Sequence, residues 1–255
     1  MMGNSSLLER AARYMGRRIL PLRSEGLLLT VLQGFYRKKR RVLAHQSLPY
    51  FDQRIPFFEW GFDDIGVGCG PFVRGLSALE ILRPQDEVLD LGCGEGFLAA
   101  RFYAPFCTSV DGVDCDERAL TEASRSYRAN KTQFHRLDFL KDPFPKNRYD
   151  VVVFNAAFGT FDDRLVSDLF QRSAKALEPV GVFAGSRALA EDTTRPDTLE
   201  SLEALSRALG QHFRHVFTRE IKYWIVGRER REILWRCSND LSRLEIPIWN
   251  ERSTS

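Results

Sequence analysis

Long apolar runs are missing where a membrane protein would need them. The apolar stretch Leu27–Leu32 falls far short of the about 20 residues that a bilayer span requires. Positive charge follows this stretch instead of preceding it, and no small-residue cleavage site is evident, so a secretory signal is not expected. Cysteine is sparse and unpaired in pattern: Cys69, Cys93, Cys107, Cys115 and Cys237 form no C-x-x-C motif, and an odd number cannot all pair within one chain. A disulfide framework is therefore not expected, and a reducing cytoplasm is the implied compartment. Histidine is scarce too. His212 and His215 stand three apart with no acidic or thiol ligand in the local sequence, so no metal site is expected there. Internal repeats and low-complexity segments are absent.

What remains has the composition of an ordinary globular protein, with 44% hydrophobic and 28% charged residues. A chain of 255 residues holds one α/β domain with a full core plus an added segment. The formal net charge of +3 conceals an uneven split. Residues 1–45 carry ten Lys or Arg against Glu9 and Glu25, a balance of 10 − 2 = +8, which leaves 3 − 8 = −5 for residues 46–255. Three segments are thus expected: a basic amphipathic helical arm over 1–45, a mildly acidic domain over 46–240 that includes an aromatic lid segment, and a polar tail over 241–255, loosely held.

Within the domain, Glu87-Val88-Leu89-Asp90-Leu91-Gly92-Cys93-Gly94-Glu95-Gly96-Phe97 reads as a buried strand feeding a tight turn and a helix. Its glycines remove side chains where a bound molecule could approach the main chain. A dinucleotide fingerprint needs G-x-G-x-x-G. Here the spacing is G-x-G-x-G, with Phe97 where that fingerprint would have its last glycine. Asp90 at the strand end would repel a diphosphate and suit a ligand carrying an ammonium group. The run Asp90–Gly96 closely resembles the first motif of the class I S-adenosylmethionine-dependent methyltransferases.

Further stretches resemble that family in the right order. Ser109–Asp114 is similar to its second strand, and Asp114 lies 114 − 94 = 20 residues after the middle glycine, the step at which nucleotide folds place a ribose-binding acid. Phe134–Phe139 is similar to the third strand and adenine-binding turn, where the resemblance implies Asp138 for the exocyclic amine and Phe139 against the ring. Tyr149–Asn155 is similar to the fourth strand, whose end faces cofactor and acceptor. The resemblance implies a Rossmann-like α/β fold: a seven-stranded methyltransferase sheet, parallel except for an antiparallel C-terminal strand, with helices on both faces and an N-terminal helical extension. It implies S-adenosyl-L-methionine as cofactor, held by Asp90, Gly92, Cys93, Gly94, Gly96, Asp114, Cys115, Asp138, Phe139 and Asn155. Cys93 and Cys115 are expected as small buried side chains.

Helices are expected over Pro71–Leu82, Phe97–Tyr103, Arg118–Ala129, Arg164–Leu177 and Thr198–Leu209. Pro179–Ser186 resembles the turn into the fifth strand, and Val216–Val226 with Glu232–Cys237 suit the closing antiparallel pair. The acceptor is less legible. Asn155-Ala156-Ala157-Phe158 is similar in position to the Asn-Pro-Pro-aromatic motif of enzymes that methylate base amines, but lacks both prolines. No histidine follows, so Asp162 or Asp163 is a candidate base, with helix capping the competing role for Asp162. Tyr50, Glu59 and Trp60 are pocket candidates in the lid segment. The expected activity is methyl transfer to a small-molecule, lipid-linked or sugar-linked acceptor, oxygen slightly favoured. RNA methylation and a non-catalytic cofactor-binding or interaction role are the alternatives. The basic arm is open to three readings: a solvated helical lid, peripheral contact with an anionic membrane, or phosphate contacts on nucleic acid.

Overall fold

The computed structural model describes residues 69–127, 131–155, 163–189, 201–225 and 228–245. Their elements belong almost wholly to one compact unit, Gly70–Tyr223 with Glu229–Ser255; the other unit, Met1–Cys69 with Trp224–Arg228, lies largely outside the described residues. The basic arm, Tyr50, Glu59, Trp60 and Asp162 all lie outside them.

Helix α1 (Cys69–Leu79) leads to β1 (Glu87–Leu91), a π-helical turn (Ala99–Tyr103), β2 (Ser109–Asp114), α2 (Glu117–Ser126), β3 (Thr132–Arg136) and β4 (Tyr149–Asn155). Then follow α3 (Asp163–Ala176), β5 (Leu177–Ala188), α4 (Leu202–Gly210), β6 (His215–Ile225) and β7 (Arg228–Ser238). The seven strands form one sheet in the order β3-β2-β1-β4-β5-β7-β6. β1 pairs in parallel with both β2 and β4, and β7 runs antiparallel to β5. This is the expected fold. Chain order reverses at β1, between β2 and β4, and such a switch point opens a crevice beyond the carboxyl ends of the strands.

Register separates the two faces of the sheet. Leu89, Leu91, Val113, Val152, Phe154, Phe183, Ile233 and Trp235 share one face, where Val166, Leu169 and Phe170 of α3 and Leu205 and Leu209 of α4 complete the core. Burial of β1 on both faces explains its nearly continuous apolar sequence. Asp90 and the residues level with it, Gly112 and Val153, lie on the opposite face.

Glycine is structurally required at Gly185. A Cβ there would stand 2.1 Å from the Phe154 carbonyl oxygen and 2.3 Å from the Trp235 ring. Helix α4 starts at Ser201, whose hydroxyl accepts from the Ala204 amide at 3.0 Å. Ser201→Ala is expected to cost about 1 kcal/mol, read as a lower urea midpoint at unchanged slope.

Two expectations are corrected here. The fifth strand begins at Leu177, directly after α3. Tyr149 pairs with Leu177 and Val151 with Val182, so β5 advances 182 − 177 = 5 residues while β4 advances 151 − 149 = 2. Pro179, which has no N–H to donate, sits in that irregularity instead of in a separate turn. The tail, expected to be loose from Leu241, is anchored at its start. Leu244 is buried, and the buried Arg243 guanidinium meets the buried Asp86 carboxylate at 2.8 Å.

Candidate active site

The turn after β1 is built from backbone that only glycine adopts readily. Gly92, Gly94 and Gly96 have φ of 70°, 55° and 75°, all in the left-handed region. Gly92 and Cys93 each donate their N–H to the Val113 carbonyl, at 2.9 and 3.0 Å, and Gly96 donates to the Cys93 carbonyl at 3.0 Å. The first two bonds tie the turn to the carboxyl end of β2.

Asp114 completes this link. Its carboxylate accepts from the Gly94 N–H and from the Asp116 N–H, both at 2.9 Å. Asp116 is the N-cap of α2, accepting from the amides of Arg118 and Ala119. Capping and site construction thus fall on different aspartates two residues apart.

Asp90 is buried at the end of β1, and its Oδ2 has no hydrogen-bond partner among the described residues. Burial, reinforced by the Asp114 charge, pushes its carboxyl up to about 8. A buried acceptor left unmade costs about 1–3 kcal/mol, so this atom is built to meet a donor. Beside it, the buried Tyr103 hydroxyl accepts from Asn155 Nδ2 at 2.8 Å. Burial, and then the Asp90 charge, hold that phenol protonated well above its ordinary range.

The carboxyl ends of β1, β2 and β4 carry Asp90, Asp114 and Asn155, with Gly92, Cys93 and Gly94 in the turn. Asp138 stands after β3, which ends at Arg136, two residues before it. Its Oδ1 accepts from the Leu140 N–H at 3.0 Å and its Oδ2 meets the Lys141 ammonium at 2.9 Å. The Lys141 contact, foremost, holds the carboxyl below its usual value.

Cys93 is half-buried, its thiol 3.7 Å from the Gly94 carbonyl oxygen. Cys115, expected to be buried, is exposed, because it follows the last residue of β2 on the way to the cap of α2. Partial burial of its sulfur, then the Asp114, Asp116 and Asp138 carboxylates, push its thiol up. Two residues serve packing. A Cβ on Gly96 would stand 2.6 Å from the Phe134 ring and 3.0 Å from Ala123 Cβ. Phe139 is buried in the core, its ring edge-on to Phe154 at 6.0 Å between centroids, which leaves little of it to face a purine.

A glycine turn at the switch point, an acid at the end of β2 and this strand order together carry the assignment. The family model described as methyltransferase domain matches residues 88–181. These residues place the chain's methyltransferase domain with the S-adenosylmethionine-dependent methyltransferases, on the class I fold. Its match to sterol 24-C-methyltransferase of Gibberella zeae is 30% identical over 123 residues, 47% of this chain and 32% of that protein. For 27-O-demethylrifamycin SV methyltransferase of Amycolatopsis mediterranei the figures are 29% over 113 residues, 43% and 41%. The chain therefore spans less than half the length of either relative. The crystal structure of the N-methyltransferase NodS from Bradyrhizobium japonicum WM9 shares the fold, with a TM-score of 0.55 at 17% identity over 67% of this chain and 98% of that one. S-adenosyl-L-methionine is the cofactor of this methyltransferase family.

The sequence reading missed Tyr103, Ser186, Arg74 and Glu232, which share the Asp90 face. Arg74 Nε and the fully buried Glu232 meet at 2.6 Å across 158 positions of sequence. Period and motif spacing carry no signal for such a pair. A serine ending the apolar run Val180–Ser186 was the one visible cue.

Proposed function

We propose that this chain is an S-adenosylmethionine-dependent methyltransferase acting on a small-molecule, lipid-linked or sugar-linked acceptor, with oxygen the favoured atom. The observation that carries the reading is the orphaned, buried Asp90 oxygen beside the glycine turn. It fits the amino group of the cofactor's methionyl part, since an ammonium supplies both the missing donor and the counter-charge. The turn amides would support the same part, Asp114 the ribose hydroxyls and Asp138 the adenine amine. Bound S-adenosylmethionine supplies an electrophilic methyl on a sulfonium whose departure leaves a neutral thioether.

The chain's own residues then work by placement. Aligning acceptor, methyl and sulfur is worth about 7–11 kcal/mol in well-oriented reactions. Tyr103, held protonated, accepts from the Asn155 amide and does not act as a base. Support for the acceptor class comes from two of the curated relatives, named for a sterol and for a demethylrifamycin, while others are named for proteins. Among the described residues no helix is long and apolar enough to cross a membrane, so a lipid-linked acceptor would be met from outside the bilayer core or through residues 1–45.

Isothermal titration with S-adenosylhomocysteine tests the reading. One site with a Kd in the micromolar range, about −8 kcal/mol, is expected. Absence of heat at about 100 μM protein overturns the proposal, because micromolar binding would saturate there.

A further inference from the structure

The sheet face that carries Asp90 runs on across β4, β5 and β7 to the outermost strand, β6. Asp90 is level with Val153, Val153 with Ala184, and Ala184 with Arg236. Three strand spacings separate Asp90 from Arg236, about 14 Å between main chains, so this ground lies apart from the cofactor turn. The Arg236 guanidinium stands over the Phe217 ring, 5.7 Å from its centroid. Arg219, two residues along β6 from Phe217, shares that face with it. Glu80, the residue after α1, brings its carboxylate to both arginines, 2.9 Å from Arg219 Nη2 and 3.2 Å from Arg236 Nη1.

Two guanidiniums on one carboxylate leave one positive charge over. Burial, foremost, pulls Arg236 below its ordinary value; Glu80 opposes that pull and Arg219 adds to it. Each arginine engages Glu80 through a single nitrogen, and the remaining nitrogens of both forks have no hydrogen-bond partner among the described residues. Stapling α1 to the sheet does not require this excess. Arg74 and Glu232 already link α1 to β7 at 2.6 Å. The Arg219 side chain is 53% accessible, and an ion pair so exposed contributes little to stability. Phe217 is 46% exposed, which leaves an aromatic face open to solvent beside the two cations.

We propose that Arg219 and Arg236, with Phe217 beside them, form an anion site that takes a singly charged oxyanion, carried either by a soluble small molecule or by a lipid headgroup. Planar guanidinium forks match such groups through paired N–H donors. One added negative charge brings the balance of the two arginines and Glu80 to zero. Phe217 offers apolar contact to the carbon that bears the anion. At about 14 Å from Asp90, the site holds a remote part of a ligand or a lipid surface and not the reacting group.

The test uses full-length protein. Dimethyl phosphate and acetate are titrated against neutral trimethyl phosphate at constant ionic strength, with the Nε–H signals of Arg219 and Arg236 followed by NMR. The two anions are expected to shift both signals saturably and the neutral ester to leave them in place. Arg219→Gln should weaken dimethyl phosphate binding about tenfold, as for loss of one charge-assisted hydrogen bond. Glu80→Gln, which removes the competing carboxylate, should tighten it severalfold, a gain that a purely structural ion pair would not give. Urea midpoints near that of the parent separate loss of the site from loss of the fold; if one variant fails to fold, the other decides. Vesicles of phosphatidylglycerol and of phosphatidylcholine then identify the source. Flotation with phosphatidylglycerol that Arg219→Gln reduces assigns a lipid headgroup, and flotation equal in parent and variant assigns a soluble ligand. Trimethyl phosphate shifting the signals as the anions do, or Arg219→Gln binding dimethyl phosphate like the parent, would overturn the site.

Discussion

Asp114→Ala is expected to weaken S-adenosylhomocysteine binding by about thirtyfold or more, roughly 2 kcal/mol, while Asp116→Ala stays within about twofold of the parent. The two carboxylates are neighbours in sequence with different work. Asp114 accepts from the Gly94 and Asp116 amides, and bonds to a charged acceptor contribute about 1.5–3 kcal/mol. Removing it deletes the proposed ribose ligand and also frees Gly94, which is held at φ 55°. Both losses fall on affinity. Removing Asp116 deletes the cap of α2, which costs about 1 kcal/mol of folding stability and leaves the turn in place. Asp114→Asn should fall between them, since one amide oxygen can replace one acceptor while its NH2 group confronts the other N–H. Titration calorimetry of the three variants, with urea unfolding alongside, separates the roles; equal affinities for Asp114→Ala and Asp116→Ala would show that the wrong acid was assigned.

The division of work between these aspartates also shows where sequence reading succeeds and where it stops. β2 and β4 have the bounds expected, because both are buried across two faces and both close on a polar residue at the carboxyl edge of the sheet. The glycine turn was legible because three positive-φ positions leave glycine as nearly the sole residue type that fits. Phe139 was less so. β3 ends at Arg136, and the turn that follows carries Phe139 into the core, a direction that the resemblance, which implied Phe139 against the adenine ring, does not supply. The role of Gly96 required knowing that Phe134, 38 positions later (134 − 96 = 38), packs where its Cβ would be. Tyr103, and Ser186 apart from its place at the end of an apolar run, were hidden for a related reason: their meaning comes from register between β4 and β5 and from a turn crossing that face. Such pairings are tertiary facts, whereas Asp90, Asp114 and the glycines announce themselves through local backbone chemistry.

Asp90 leads to the second large effect, a stability and an affinity that move with pH in opposite senses. Its carboxyl titrates near 8 in the folded protein, raised by burial and by Asp114, against an ordinary value of 3.8. The folded state thus binds more protons than the unfolded one between these values. Stability of the cofactor-free protein falls as pH rises through that window, and the contribution is intact below it. Asp90→Asn removes the titration, so the variant should match the parent near pH 4 and exceed it by a few kcal/mol near pH 8. The urea midpoint difference between the two proteins, followed against pH, isolates this one group. Cofactor binding should run the other way, because an ammonium against Asp90 favours the carboxylate and drives its proton off. Near pH 7 about one proton per site should be released. Affinity should climb with pH until near 8, where α-amino groups themselves begin to lose charge. Calorimetry in buffers of different ionisation enthalpy measures the release directly. Asp90→Asn should bind S-adenosylhomocysteine weakly and release no proton, a gain in stability obtained at the expense of the site. Parental proton release in that variant, or parental affinity independent of pH between about 6 and 8, would mean that Asp90 does not meet the ammonium and that its orphaned oxygen has another partner.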